Sequence, residues 1–178
     1  MRKFFLVVFS VFSLLFVAAI VLGFFLSKEF TVSRSIVVQA SPEKVYSLVG
    51  DLEQWPVWGP WKDADEALQV TLGEQTKGVG ASQSWVGTDG DGRLVFTEAD
   101  PERGVTFDLL FNEDAFANTS SITYDKSPNG LVVTWQMAGE VPAPVVGGYL
   151  AWMMPDMIAP MFDHGLAKLK AAAEAAEG

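Results

Sequence analysis

The 178-residue sequence predicts an α+β domain: an antiparallel sheet of about six to seven strands curls around a long C-terminal helix, and one transmembrane helix precedes it. Three observations carry this reading. Residues 4–26 are uncharged and apolar, residues 68–138 alternate with period two, and the apolar positions from Ile158 to Ala173 return to a helical period.

The first element, "FFLVVFSVFSLLFVAAIVLGFFL", is 23 residues long. At about 1.5 Å per residue it makes roughly 34 Å of helix, enough to cross a hydrocarbon core of about 30 Å. Arg2 and Lys3 precede it, whereas Lys28 and Glu29 cancel just after it. The positive-inside bias then predicts a single-pass protein with residues 1–3 as a cytoplasmic tip and a domain at 30–176 on the extracytoplasmic side, periplasmic or extracellular, of a plasma membrane. A cleaved signal peptide is the competing reading. Its apolar region would run about 7 to 15 residues and end in small residues, but "LSKEF" offers no Ala-x-Ala, so an uncleaved signal anchor fits better.

All 22 acidic residues follow this helix, and only nine of the 12 basic ones remain beyond Lys28, so residues 29–178 carry a net charge of −13. Such a surface repels nucleic acid and anionic lipid headgroups, and neither is expected as a partner. The absence of cysteine excludes disulfides, thiolate metal sites and cysteine nucleophiles while leaving the redox compartment open.

Phe30 to Gln39 read as the first strand, since Phe30, Val32, Ile36 and Val38 alternate with Thr31, Ser33 and Ser35. "SPEKVYSLVGD" predicts a short helix: Ser41 can cap it, Pro42 suits its first position, and Val45, Leu48 and Val49 share a face. Runs near 68–72, 83–87, 93–98, 105–111, 117–124 and 131–138 read as strands, and the turn chemistry of "TDGDG", "ADPERG" and "KSPNG" makes neighbours antiparallel. After "VPAPVVGG" comes the closing helix, with Pro155 and Pro160 expected to break or kink its start.

The order of these elements and their wording resemble the START-like (SRPBCC) superfamily, in its polyketide cyclase/dehydrase and lipid-transport branch. The resemblance covers residues 30–176 and is carried by Trp58, Pro60 and Trp61, by the "GxGAxxxW" run ending at Trp85, and by the closing "MFDHGLAKLKAAAE". It implies a helix-grip fold in which the curved sheet and the long C-terminal helix enclose a hydrophobic cavity. The enzymes that name the branch are a minority of its members, so the resemblance implies little about activity.

Candidate ligand-binding residues follow from phase and chemistry. "WPVWGPW" places Trp55, Trp58 and Trp61 in a rigid corner, either lining the mouth of a cavity or capping the core beneath it. Arg34 is in register with Val32 and Ile36, and Glu98 with Leu94 and Phe96, so both are expected to point inward, where a charge needs a partner or a ligand. Asp108 alternates against Phe107 and Leu109 and is expected on the solvent face. Trp85 and Trp135, with Trp152 and Met161 in the methionine-rich stretch that also holds Met153, Met154 and Met157, supply adaptable apolar surface. His164 is the only histidine; adjacent helical residues point about 100° apart, so it forms no dyad with Asp163, and alone it completes no metal site of ordinary spacing. No Gly-x-Ser-x-Gly elbow occurs, and the glycines at 78, 80, 87, 90 and 92 interrupt strands and open no helix. No catalytic set, metal site or cofactor motif emerges.

Three functions are compatible with these residues. The first is a membrane-tethered binding domain whose cavity takes a small hydrophobic or lipid-like molecule. The second is a cyclase- or dehydrase-like enzyme with a cavity carboxylate as base. The third is an interaction protein whose cavity is filled by its own side chains, which would leave no space near the roughly 300 Å³ that ligand sites need.

Overall fold

The computed structural model describes residues 2–88, 90–111 and 116–175; Met1 of the expected cytoplasmic tip and Ala176 at the expected domain end lie outside the described residues. Helix α1 (Arg2–Phe25) carries the apolar segment Phe4–Phe25, of mean hydropathy 3.0, and the rest of the chain meets it only near its end, where Gly23 is buried. It is a candidate membrane span. Strand β1 (Glu29–Val38) starts after Leu26, Ser27 and Lys28, so the first strand leaves the end of α1 almost directly.

Helix α2 (Pro42–Val49) forms where its signals place it: the Ser41 hydroxyl accepts the Lys44 N–H at 3.2 Å, and Val45, Leu48 and Val49 are buried. A 3₁₀ turn (Leu52–Gln54) and two single-turn helices, α3 (Trp55–Trp58) and α4 (Trp61–Ala64), make up the corner that follows. The remaining strands are β2 (Gln69–Leu72), β3 (Ser82–Val86), β4 (Gly92–Asp100), β5 (Gly104–Phe111), β6 (Phe116–Ser127) and β7 (Gly130–Glu140). They form one seven-stranded antiparallel sheet in the order β1-β7-β6-β5-β4-β3-β2. The six meandering strands and their directions match the sequence reading. The pairing of β1 with β7, from Glu29 opposite Glu140 to Val38 opposite Leu131, joins the first strand to the last.

Helix α5 (Val146–Glu174) crosses the inner face of this sheet, burying Ala151, Ala159, Phe162, Leu166 and Leu169. This is the helix-grip arrangement. The helix runs through Pro155 and Pro160 without interruption, contrary to the expected break, and starts inside "VVGG". Each proline removes one backbone hydrogen bond, and residues buried against the sheet lie on both sides of each. Polar anchors fix the far end: Lys170 donates to the Val37 carbonyl at 2.8 Å, and Glu174 accepts the Gln39 N–H at 2.6 Å.

Candidate functional site

The aromatic corner is assembled by the end of α2. Trp55 Nε1 donates to the Val49 carbonyl at 2.9 Å, and Trp58 Nε1 to the Leu48 carbonyl at 3.0 Å, so both indoles use their one donor on carbonyls that the ending helix leaves free. Trp55 stacks on Trp61 with centroids 5.1 Å apart, and its edges meet Phe96 and Phe107. Trp58 is fully buried, with Trp61 and Trp135 each 5.7 Å away, and Trp135 stacks on Phe162 of α5 at 4.2 Å. The knot therefore joins α2, the sheet and α5.

Beside it lies a cavity of about 250 Å³. Its floor is the inner face of the sheet, with Leu94, Phe107, Leu109, Trp135 and Met137. Trp55, Trp61 and Ala64 wall it from the corner, Met161 from α5, and Leu68, Val70 and Trp85 from the β2–β3 side. A wider depression on the opposite sheet face, about 580 Å³, is open and floored by Asp108, Asn118 and Thr119, so the inner cavity is the candidate site.

Of the sequence candidates, Trp55, Trp61, Trp85, Trp135 and Met161 come together on the cavity wall. Trp58 is a core plug behind it. Arg34 does lie on the inner face of β1, but α5 crosses there; its side chain reaches out to Asp163 at 3.4 Å and to the Ser33 carbonyl at 2.9 Å, away from the cavity. With 41% and 60% of these side chains exposed, Arg34→Ala is expected to change stability by less than about 1 kcal/mol in chemical denaturation. Glu98 does not point inward. A β-bulge between Phe96 and Glu98 resets the phase, so Glu98 lies opposite Thr106 in the register, is exposed, and accepts the Thr106 hydroxyl at 3.3 Å. Trp152 is 78% exposed near the start of α5 and takes no part in the cavity. Asp108 is exposed as expected and accepts the Thr119 hydroxyl at 3.0 Å.

The cavity has two polar side chains that the sequence reading missed. Gln83, nearly buried, shares a face of β3 with Trp85, and the same phase argument applied to "SQSW" identifies it. No hydrogen bond joins its carboxamide, or the indole N–H of Trp61 or Trp85, to another described residue, and all three residues line the cavity. Asp65, from the loop after α4, had no sequence signal. The Thr88 backbone N–H, 2.7 Å away, holds its carboxyl below the ordinary value of 3.8; burial opposes this, and the Ala67 N–H and Thr88 hydroxyl add to it. A depressed folded value means stability that is present above the unfolded pKa and lost as pH falls through the folded one. Wild type and Asp65→Asn are thus expected to differ most near neutrality and to converge in acid, read as unfolding midpoints against pH.

At the outer side of the corner, Asp63 accepts Lys168 Nζ at 2.7 Å and contacts His164 Nε2 at 2.9 Å, while Lys168 also donates to the Gly59 carbonyl at 3.3 Å. The Lys168 bond, then the His164 bond, holds the Asp63 carboxyl below its ordinary range. This cluster clips α4 to α5, and it pairs His164 with a residue 101 positions away, which no local spacing reveals.

The fold is similar to that of CV1439 from Chromobacterium violaceum, with a TM-score of 0.60 and 19% identity over 83% of this chain and 99% of that one. It is similar to Ms6760 from Mycobacterium smegmatis, with a TM-score of 0.57 and 18% identity over 84% and 93%. The di-domain ARO/CYC StfQ of the steffimycin biosynthetic pathway gives a TM-score of 0.60 and 12% identity over 82% of this chain and 51% of that one. At these identities the likeness speaks to fold alone. Comparison with curated proteins gives no match. Residues 29–174 match the family model described as polyketide cyclase / dehydrase and lipid transport, and the chain, a ligand-binding domain of SRPBCC type, belongs to that family.

Proposed function

We propose that the domain is a carrier or sensor that holds a compact, neutral, hydrophobic or lipid-like molecule, tethered by α1 with its amino terminus in the cytoplasm and the domain at 30–176 outside. The observation that carries this reading is the cavity between sheet, corner and α5, apolar except for Gln83 and Asp65. Its size, about 250 Å³ and just under the roughly 300 to 1,000 Å³ of ordinary ligand sites, favours one ring system or one chain over an entire two-chain phospholipid. Trp55, Trp61, Trp85, Trp135 and Met161 would supply the contact area, and Gln83 would hydrogen-bond a carbonyl or hydroxyl. Asp65, kept ionised by three donors, disfavours an acidic head group.

The enzymatic alternative needs a base in the cavity. Asp65 is the carboxylate available among the described residues on its wall, and its lowered pKa weakens it for proton abstraction.

Native mass spectrometry of the full chain released from nanodiscs, followed by solvent extraction, tests the reading. A discrete neutral mass carried by wild type and reduced in Gln83→Leu is expected. A bare chain after incubation with host lipid extract would overturn it.

A further inference from the structure

Beyond the cavity, the first half of α5 has an apolar surface that neither the core nor the site uses. Val146, Leu150, Met153 and Met157 stand three or four residues apart on one exposed face, with Trp152 widening the arc. Contiguous exposed apolar residues, unlike scattered ones, mark a surface that meets a partner or a membrane. No charged residue occurs from Val141 to Pro155; Asp156 is the first.

This surface starts against the candidate membrane span. Tyr149 donates its hydroxyl to the Ala19 carbonyl at 2.7 Å. Ala19 is six residues before Phe25, the last residue of α1, so this contact lies about 9 Å inside the helix end. The backbones also touch. A Cβ on Gly23 would collide with the Val145 carbonyl, and one on Gly148 with the Leu26 side chain. Val145, at the joint, has φ +61°, a conformation that costs a β-branched residue dearly and persists only where its surroundings impose it.

We propose that the first half of α5, from Val145 to Met157, lies in the lipid interface beside α1, so that the domain rests on the bilayer through a second contact in addition to its tether. The occupant of the exposed face is lipid. The contact with α1 places the face at membrane depth, the segment's single charge, Asp156, falls in its last turn and leaves Val145 to Pro155 uncharged, and Trp152 and Tyr149 are the aromatic types that favour the headgroup level. Met161, on the cavity wall, is one helical turn beyond Met157, so docking would set the cavity next to the membrane surface.

This inference rests on reading α1 as a membrane span, and the test separates the two. Because the chain has no cysteine, single cysteines at Phe12, Met153, Met157 and Val79 can carry a nitroxide in the full-length protein reconstituted in phosphatidylcholine vesicles. All four side chains except Phe12 belong to the domain surface, and Val79 lies between β2 and β3 at the sheet edge far from β1. Collisional relaxation by oxygen against a water-soluble nickel chelate is expected to shift towards oxygen at 12, 153 and 157 and towards nickel at 79. Lipid exposure at 12 with 153 and 157 as wet as 79 would overturn the docking and leave the tether standing. Shielding of 153 and 157 from both relaxants would mean a protein partner and would also overturn it, as would a wet label at 12.

Discussion

Trp58→Ala is expected to destabilise the domain by about 3–5 kcal/mol, the range for removing a fully buried large aromatic side chain. The indole has no exposed surface, its edges meet Trp55, Trp61 and Trp135, and its N–H holds the Leu48 carbonyl at the end of α2. Truncation therefore opens a void where three elements meet and removes the partner of a helix-end carbonyl. Urea unfolding of the full chain in detergent, monitored by loss of sheet signal, measures the change. Trp61→Ala, which removes a half-buried neighbour, should cost clearly less; equal losses would mean that the knot acts as one unit.

Leu109→Trp is expected to abolish ligand retention with little loss of stability. Leu109 is on the cavity floor in the middle of β5, so a larger side chain there grows into empty space instead of into packed core, and the usual overpacking cost of about 1–3 kcal/mol should fall at its low end. Affinity should drop at least about tenfold, equivalent to roughly 1.4 kcal/mol. Leu110→Trp, the same change one residue along, points to the opposite face and is the control. Retention by Leu109→Trp of the same mass as wild type would show that the molecule sits elsewhere.

The parts of this fold that depend on short-range signals were legible in the sequence. Ser41 and Pro42 start α2, alternation from Val105 to Phe111 gives β5, and the tight reversals make the sheet antiparallel. What remained hidden was long-range or irregular. The pairing of β1 with β7 spans about a hundred residues and has no local mark. Glu98 was misplaced because period-two counting assumes an unbroken ladder, and one bulged residue reverses every face after it. Asp65 reaches the cavity only because its loop folds back onto Thr88. Trp152 was grouped with the cavity residues by composition, but composition does not distinguish a methionine-rich face that meets protein from one that meets something else.

The indole cluster also equips the domain with its own optical probe. Trp55, Trp58, Trp61 and Trp135 form a chain of ring contacts between 5.1 and 5.9 Å, close enough for their ultraviolet transitions to couple and produce a circular-dichroism couplet that isolated tryptophans lack. Three of these four rings face the cavity, so a bound molecule that turns any of them changes the couplet without a label. Trp152, outside the cluster and 78% exposed, adds emission that depends on its polar or lipid setting, alongside that of Trp85 on the cavity wall. One unmodified chain thus reports occupancy through the couplet, and Trp152→Phe isolates the part of the fluorescence that reports surroundings.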